Sequence, residues 1–258
     1  MQESTVEVHG YAVRTLEAGT GPTILYLSGF GGLAWSPLLE QLSQNHRVVA
    51  TEHPGFGRSQ IPEWMMGIGD LALFYLDLAE TLDLEEAHMA GHAVGGWIAA
   101  ELAVRNTARL KSLTLLAPAG VVVPNVSIAD LFLIPTDELL RRQVHDPAAP
   151  ASAEWLKQQA AVEIDVVLQN RAALARIGWS PRLHDPQLPY WLHRIDVPTL
   201  LVWGDDDQLV PVACSQPYVD AIAGIELMRM PKTGHALQAE RPAEVAARMR
   251  AFIAGTRK

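Results

Sequence analysis

The stretch that most constrains this chain is Gly91-His92-Ala93-Val94-Gly95-Gly96. A short apolar run, Ala87 to Ala90, precedes it, and the apolar helical pattern Trp97 to Ala103 follows. Glycines two residues either side of a central position, between a strand and a helix, make a turn so tight that its shoulders nearly touch. A side chain at Gly91 or Gly95 has no room there. The central residue is held in a strained backbone conformation with its side chain pushed outward. This is the pattern of a nucleophile elbow, which presents a Ser, or less often a Cys or Asp. The central residue here is Ala93, so the frame is present and the reactive group is absent.

Around the elbow, strands alternate with helices. Thr23 to Leu27, Arg47 to Thr51 and Leu113 to Ala117 are the runs expected of strands buried on both faces. Helical patterns at Ser36–Ser43 and Asp70–Leu82 separate them, with Pro37 in a first turn and Asp70 placed to cap the second. Val6 to Leu16 reads as a strand pair turning at His9-Gly10. This alternation argues for a mostly parallel sheet with helices on both faces. It stops at Val121. From there to about Tyr190 the chain is punctuated by prolines and reads as helices, at Asp137–Val144 and Ser152–Ile177 among others. Sheet rhythm returns at Pro198–Trp203, followed by a helix at Val212–Ala223, a strand at Ile225–Met230 and a closing helix at Pro242–Ala254. The expected division is an α/β core of residues 1–120 and 191–258 with a helical cap, residues 121–190, inserted after the strand ending at Ala117.

Bulk properties exclude several classes. A net charge of −9 leaves no basic face for phosphates, so no nucleic-acid partner is expected. One cysteine, Cys214, forms no disulfide framework, and the polar first ten residues carry no apolar leader segment. No apolar run is long enough to span a bilayer. These features lead us to expect a cytoplasmic protein without membrane association. His9, His46, His53, His88, His145, His184 and His193 show no metal-ligand spacing, so no metal or cofactor is expected. Oligomeric state is not legible.

In an open parallel sheet, ligands bind beyond the carboxyl ends of the strands. Four such exits carry notable residues: Ser28-Gly29-Phe30-Gly31-Gly32, the elbow, Trp203-Gly204-Asp205-Asp206-Asp207, and Thr233-Gly234-His235-Ala236. The order nucleophile position, acid, histidine is that of the triad on an α/β-hydrolase sheet. With His53-Pro54-Gly55-Phe56-Gly57-Arg58-Ser59, these motifs make the chain resemble an α/β-hydrolase of the capped esterase, lactonase and C–C hydrolase kind. It departs from that pattern at Ser28 (usually His), His53 (usually Asp) and Ala93 (usually Ser).

The resemblance implies roles. His235 is the general base and Asp207 the acid that orients it, with Asp205 and Asp206 as competitors. The backbone N–H groups of Phe30 and Val94 form the oxyanion hole. Gly29, Gly31, Trp155, Trp179 and Asn170 are candidates for binding a small-molecule substrate, an apolar or aromatic ester or lactone of small to medium size. Arg171 is a further polar candidate, His92 is expected to pack or hydrogen-bond, and Cys214 to be structural. Ala93 leaves three readings open: a silenced serine hydrolase, a non-catalytic binder of small molecules, or an enzyme that uses the His235–Asp207 dyad alone as a general base. The intact remainder of the elbow favours the first.

Overall fold

The computed structural model describes residues 1–256. Eight strands form one sheet in the order β1-β2-β4-β3-β5-β6-β7-β8: β1 Gln2–Val8, β2 Tyr11–Ala18, β3 Thr23–Leu27, β4 Arg47–Thr51, β5 Ala87–His92, β6 Leu110–Leu116, β7 Thr199–Gly204 and β8 Glu226–Met230. Pairs β1–β2 and β2–β4 are antiparallel; every pairing from β4 to β8 is parallel. The helices are α1 Pro37–Ser43, α2 Ile68–Thr81, α3 Val94–Arg105, α4 Thr136–Arg141, α5 Pro150–Ala160, α6 Ile164–Gly178, α7 Leu188–Trp191, α8 Gln216–Ala221, α9 Leu237–Glu240 and α10 Pro242–Gly255. Strands β5 and β7 are buried along their whole length, because helices cover both faces of a parallel sheet. One contiguous core runs from Leu25 and Met89 on the sheet through Trp97 and Ile98 on α3 to Leu174 and Ile177 on α6. No helix among the described residues is long and apolar enough to cross a membrane.

Four expectations shift. The N-terminal pair spans Gln2–Ala18 rather than Val6–Leu16, because its outer residues are paired although exposed and polar. Asp70 is not the cap residue of α2. Gly67 takes that position, and the Asp70 carboxylate, one turn in, accepts from the N–H groups of Met66 and Gly67 at 2.7 and 3.1 Å. The single helix expected over Ser152–Ile177 is two, α5 and α6, broken at residues 161–163 without a glycine or proline. The helix expected over Val212–Ala223 is a 3-10 turn, Val212–Ser215, leading into the short α8. Between β6 and β7 the described chain carries helices α4 to α7 joined by loops and contributes no strand to the sheet.

Candidate active site

The elbow sits between β5 and α3. Ala93 has φ 53° and ψ −114°, a left-handed backbone that an alanine adopts only under constraint. The constraint is visible at both shoulders. A Cβ placed on Gly91 lies 2.3 Å from the Gly95 carbonyl oxygen, and one on Gly95 lies 2.2 Å from the Leu27 carbonyl oxygen. Val94 opens α3, so its N–H has no acceptor within the helix.

Asp207 follows β7, and among the three aspartates it alone reaches His235. His235 donates Nδ1–H to Asp207 Oδ2 at 2.7 Å, and both side chains are almost fully buried. The other carboxylate oxygen accepts from the N–H groups of Leu209 and Val210, each at 2.9 Å. Asp205 instead pairs with Arg229, and Asp206 with His145. With Nδ1 committed to the carboxylate, Nε2 is the nitrogen left to the cavity that His235 shares with Ala93. That cavity measures about 20 Å³, and its walls include Val94, Ile128, Leu131, Leu209 and Phe30.

Two further histidines brace the site in neutral form. Burial, and then the nearby His235, hold His92 far below its usual pKa, at about 3. Its Nε2–H donates to the His235 carbonyl at 2.9 Å. Burial likewise lowers His53 to about 4. A hydrogen-bond chain passes through His53: Thr51 Oγ1 donates to the Tyr75 hydroxyl at 3.2 Å, the hydroxyl donates to His53 Nδ1 at 2.6 Å, and Nε2–H donates to the Ser28 carbonyl at 2.7 Å. The root of the Phe30 loop is thereby tied to the end of β4.

The structure separates the candidate binding residues. Gly29, Gly31 and Trp155 line a second, larger cleft of about 510 Å³ beside the elbow, and Phe30 lines both spaces. Asn170 and Trp179 line neither. Both amide groups of Asn170 are spent on backbone, donating to Gly31 O at 3.0 Å and accepting from Gly57 N at 2.7 Å. It staples α6 to two loops. Trp179 is 54% exposed, packs on Phe132 and lies 4.2 Å under the Arg182 guanidinium. Arg171 donates to Ile134 O. Cys214 is buried, which pushes its thiol up to about 11 and leaves it unreactive.

Two supporting residues escaped the sequence reading. Buried Glu52 accepts from Ser59 Oγ at 2.6 Å and holds the Gly57 turn so closely that a Cβ there would overlap its carboxylate. Glu240 accepts from Gly234 N at 2.6 Å and His145 N at 2.8 Å, joining the His235 loop to the segment before α5. No spacing marks Glu52.

Comparison with known proteins identifies the family. The profile described as the alpha/beta hydrolase family matches residues 8–248. A protein of Azorhizobium caulinodans named as a carbamate hydrolase, RutD, is 31% identical over 244 residues, covering 87% of this chain and 88% of its own. The crystal structure of a bacterial membrane phospholipase A superposes with a TM-score of 0.84 at 28% identity, covering all of this chain and 87% of its own. A meta-cleavage product hydrolase from Pseudomonas fluorescens, solved as a serine-to-alanine mutant with acetates, shares the fold at a TM-score of 0.84 and 21% identity, over 98% of this chain and 97% of its own. The family profile spans strands β2 to β8, the elbow and the His235 loop alike, and the chain therefore belongs to the α/β-hydrolase family.

Proposed function

We propose that this chain carries the machinery of a serine acyl hydrolase, for small esters or lactones, with its nucleophile position filled by Ala93. The observation that supports this is a non-glycine residue held at φ 53° beside a histidine already oriented by a buried carboxylate. With Ser at position 93, the hydroxyl attacks the carbonyl carbon and His235 Nε2 takes its proton. Negative charge on the carbonyl oxygen falls to the N–H groups of Val94 and Phe30. His235 then protonates the leaving alcohol, and water repeats the sequence on the acyl-enzyme. The helical segment between β6 and β7 acts as the cap. Apart from Phe30 and His235 the cavity walls are aliphatic or glycine, and about 20 Å³ admits a group of roughly methyl size, so a small substituent on one side of the carbonyl fits it best. With Ala93 in place the chain binds such compounds and turns them over very slowly.

A second reading follows from the completeness of the His235–Asp207 hydrogen bond with alanine at the elbow. Proton abstraction by His235 needs no oxygen on residue 93. A paired assay of the chain and its Ala93→Ser form on phenyl acetate and γ-butyrolactone separates the two. The first reading expects a gain of about a thousandfold or more in kcat/KM, abolished by His235→Ala. A Ser form no faster than the parent overturns it. Activity of the parent on a carbon acid, lost in His235→Ala, supports the dyad. A chain inert in both forms that binds small molecules is a binder.

A further inference from the structure

The larger cleft has an unusual lining. Arg14 pairs with Glu3 at 2.7 Å and lies 3.7 Å from buried Glu52, and Arg58 pairs with Glu163, so both cations of the lining are already paired. Four uncharged polar side chains also line it: Ser28, Gln143, Gln159 and Gln238. Ser28 and Gln143 are each only 5% exposed. Among the described residues, none of the four side chains has a hydrogen-bond partner, and Gln238 Oε1 is fully buried without one. Buried polar groups in native proteins are ordinarily paired, so Ser28 and Gln143, more than nine-tenths buried on the wall of this space and without a protein partner, are free to hydrogen-bond a ligand that enters it. Trp155 forms an apolar wall beside them.

The cleft adjoins the elbow. A Cβ on Gly29 lies 3.0 Å from His92 Nδ1 and 3.5 Å from the Ala93 Cβ, so one glycine of the loop separates the two spaces. Three carboxamides and a hydroxyl offer donors and acceptors in similar number with no net charge. The matching ligand group is itself a neutral donor and acceptor. We propose that this cleft is a subsite for an uncharged amide group, carried by an acyl compound whose carbonyl sits at residue 93. The position of the carbonyl rests on the hydrolase reading above; the amide selectivity does not. Carboxylates are disfavoured because no unpaired cation awaits them. Ketones are disfavoured because they leave the acceptors of the glutamines unmet.

The test uses the chain as it stands and three matched methyl esters: methyl succinamate, monomethyl succinate and methyl levulinate. NMR titration gives their affinities. Methyl succinamate is expected to bind about tenfold or more tighter than the other two. Gln143→Leu and Gln238→Leu are each expected to bring it to the level of methyl levulinate. Gln159, partly exposed on α5, supplies a variant whose folding is not at stake, and Gln159→Leu is expected to weaken methyl succinamate by about threefold. Equal binding of the three esters, or a preference that survives these substitutions, overturns the subsite. Hydrolysis of phenyl acetate by the Ala93→Ser form reads the hydrolase chemistry separately, since that ester carries no amide. A Ser form that cleaves phenyl acetate without amide preference removes the subsite alone. Amide preference in a chain whose Ser form is inert removes the hydrolase reading alone.

Discussion

A left-handed alanine costs on the order of 1–3 kcal/mol, and at position 93 the surrounding backbone imposes it. Ala93→Gly relieves that cost and is expected to raise stability by about 1 kcal/mol in urea unfolding. Gly95→Ala drives a Cβ into the Leu27 carbonyl and is expected to lower stability by more than about 3 kcal/mol, or to prevent folding. The buried histidines set the acid side. His53 and His92 are neutral when folded and take up protons when unfolded below about 6.5. Between that pH and about 4 the unfolded chain binds more protons, so stability falls as pH falls and levels off only below the folded values. The loss is expected to reach a few kcal/mol by pH 4, and His53→Gln is expected to flatten the slope across that window in urea midpoints measured at each pH. At this scale the elbow and the His235 turn were legible in the sequence because glycines must flank them: Gly91 and Gly95 around Ala93, Gly234 before His235. Their braces were not. The partners of His53, at Tyr75 and Ser28, lie 22 and 25 residues away with no repeat or spacing to announce them.

Among the elements, α6 does more than cover the sheet. Asn170 ties it to loops 139 and 113 residues distant, and Arg176 donates to the carbonyls of Met65 and Glu63. Asn170→Ala leaves Gly31 O and Gly57 N unpaired and is expected to cost about 2 kcal/mol. In the Ala93→Ser form it is also expected to lower kcat more than it raises KM, because the loop that carries the Phe30 N–H loosens. Strands β3 to β7 were readable because a strand buried on both faces is a continuous apolar run. The break between α5 and α6 was not, because Ala161-Val162-Glu163 contains no residue that stops a helix on local grounds. The role of Asn170 was misread for a related reason. A lone polar residue on a helix looks the same whether it meets a ligand or a distant carbonyl.

At the scale of the whole molecule, the helical segment between β6 and β7 shares its core with the sheet. Ala173, Leu174 and Ile177 of α6 pack into the same apolar cluster as Trp97 of α3. Unfolding is therefore expected to be one transition in urea, with tryptophan fluorescence and far-UV circular dichroism tracing the same curve. The Arg58–Glu163 pair also spans the two parts but is exposed, and Arg58→Ala is expected to change stability by less than about 0.5 kcal/mol. The His235 loop is tied at three points: Gly234 N to Glu240, Ala236 N to Gln143 O, and the His235 carbonyl to His92. An amide surrenders its proton to solvent only when its bond opens, and here no bond opens without leaving another buried group unpaired. In deuterium oxide the amides of Gly234 and Ala236 should then keep their protons as long as those at the centre of the sheet, so that a loop on the rim of a cleft keeps time with the core.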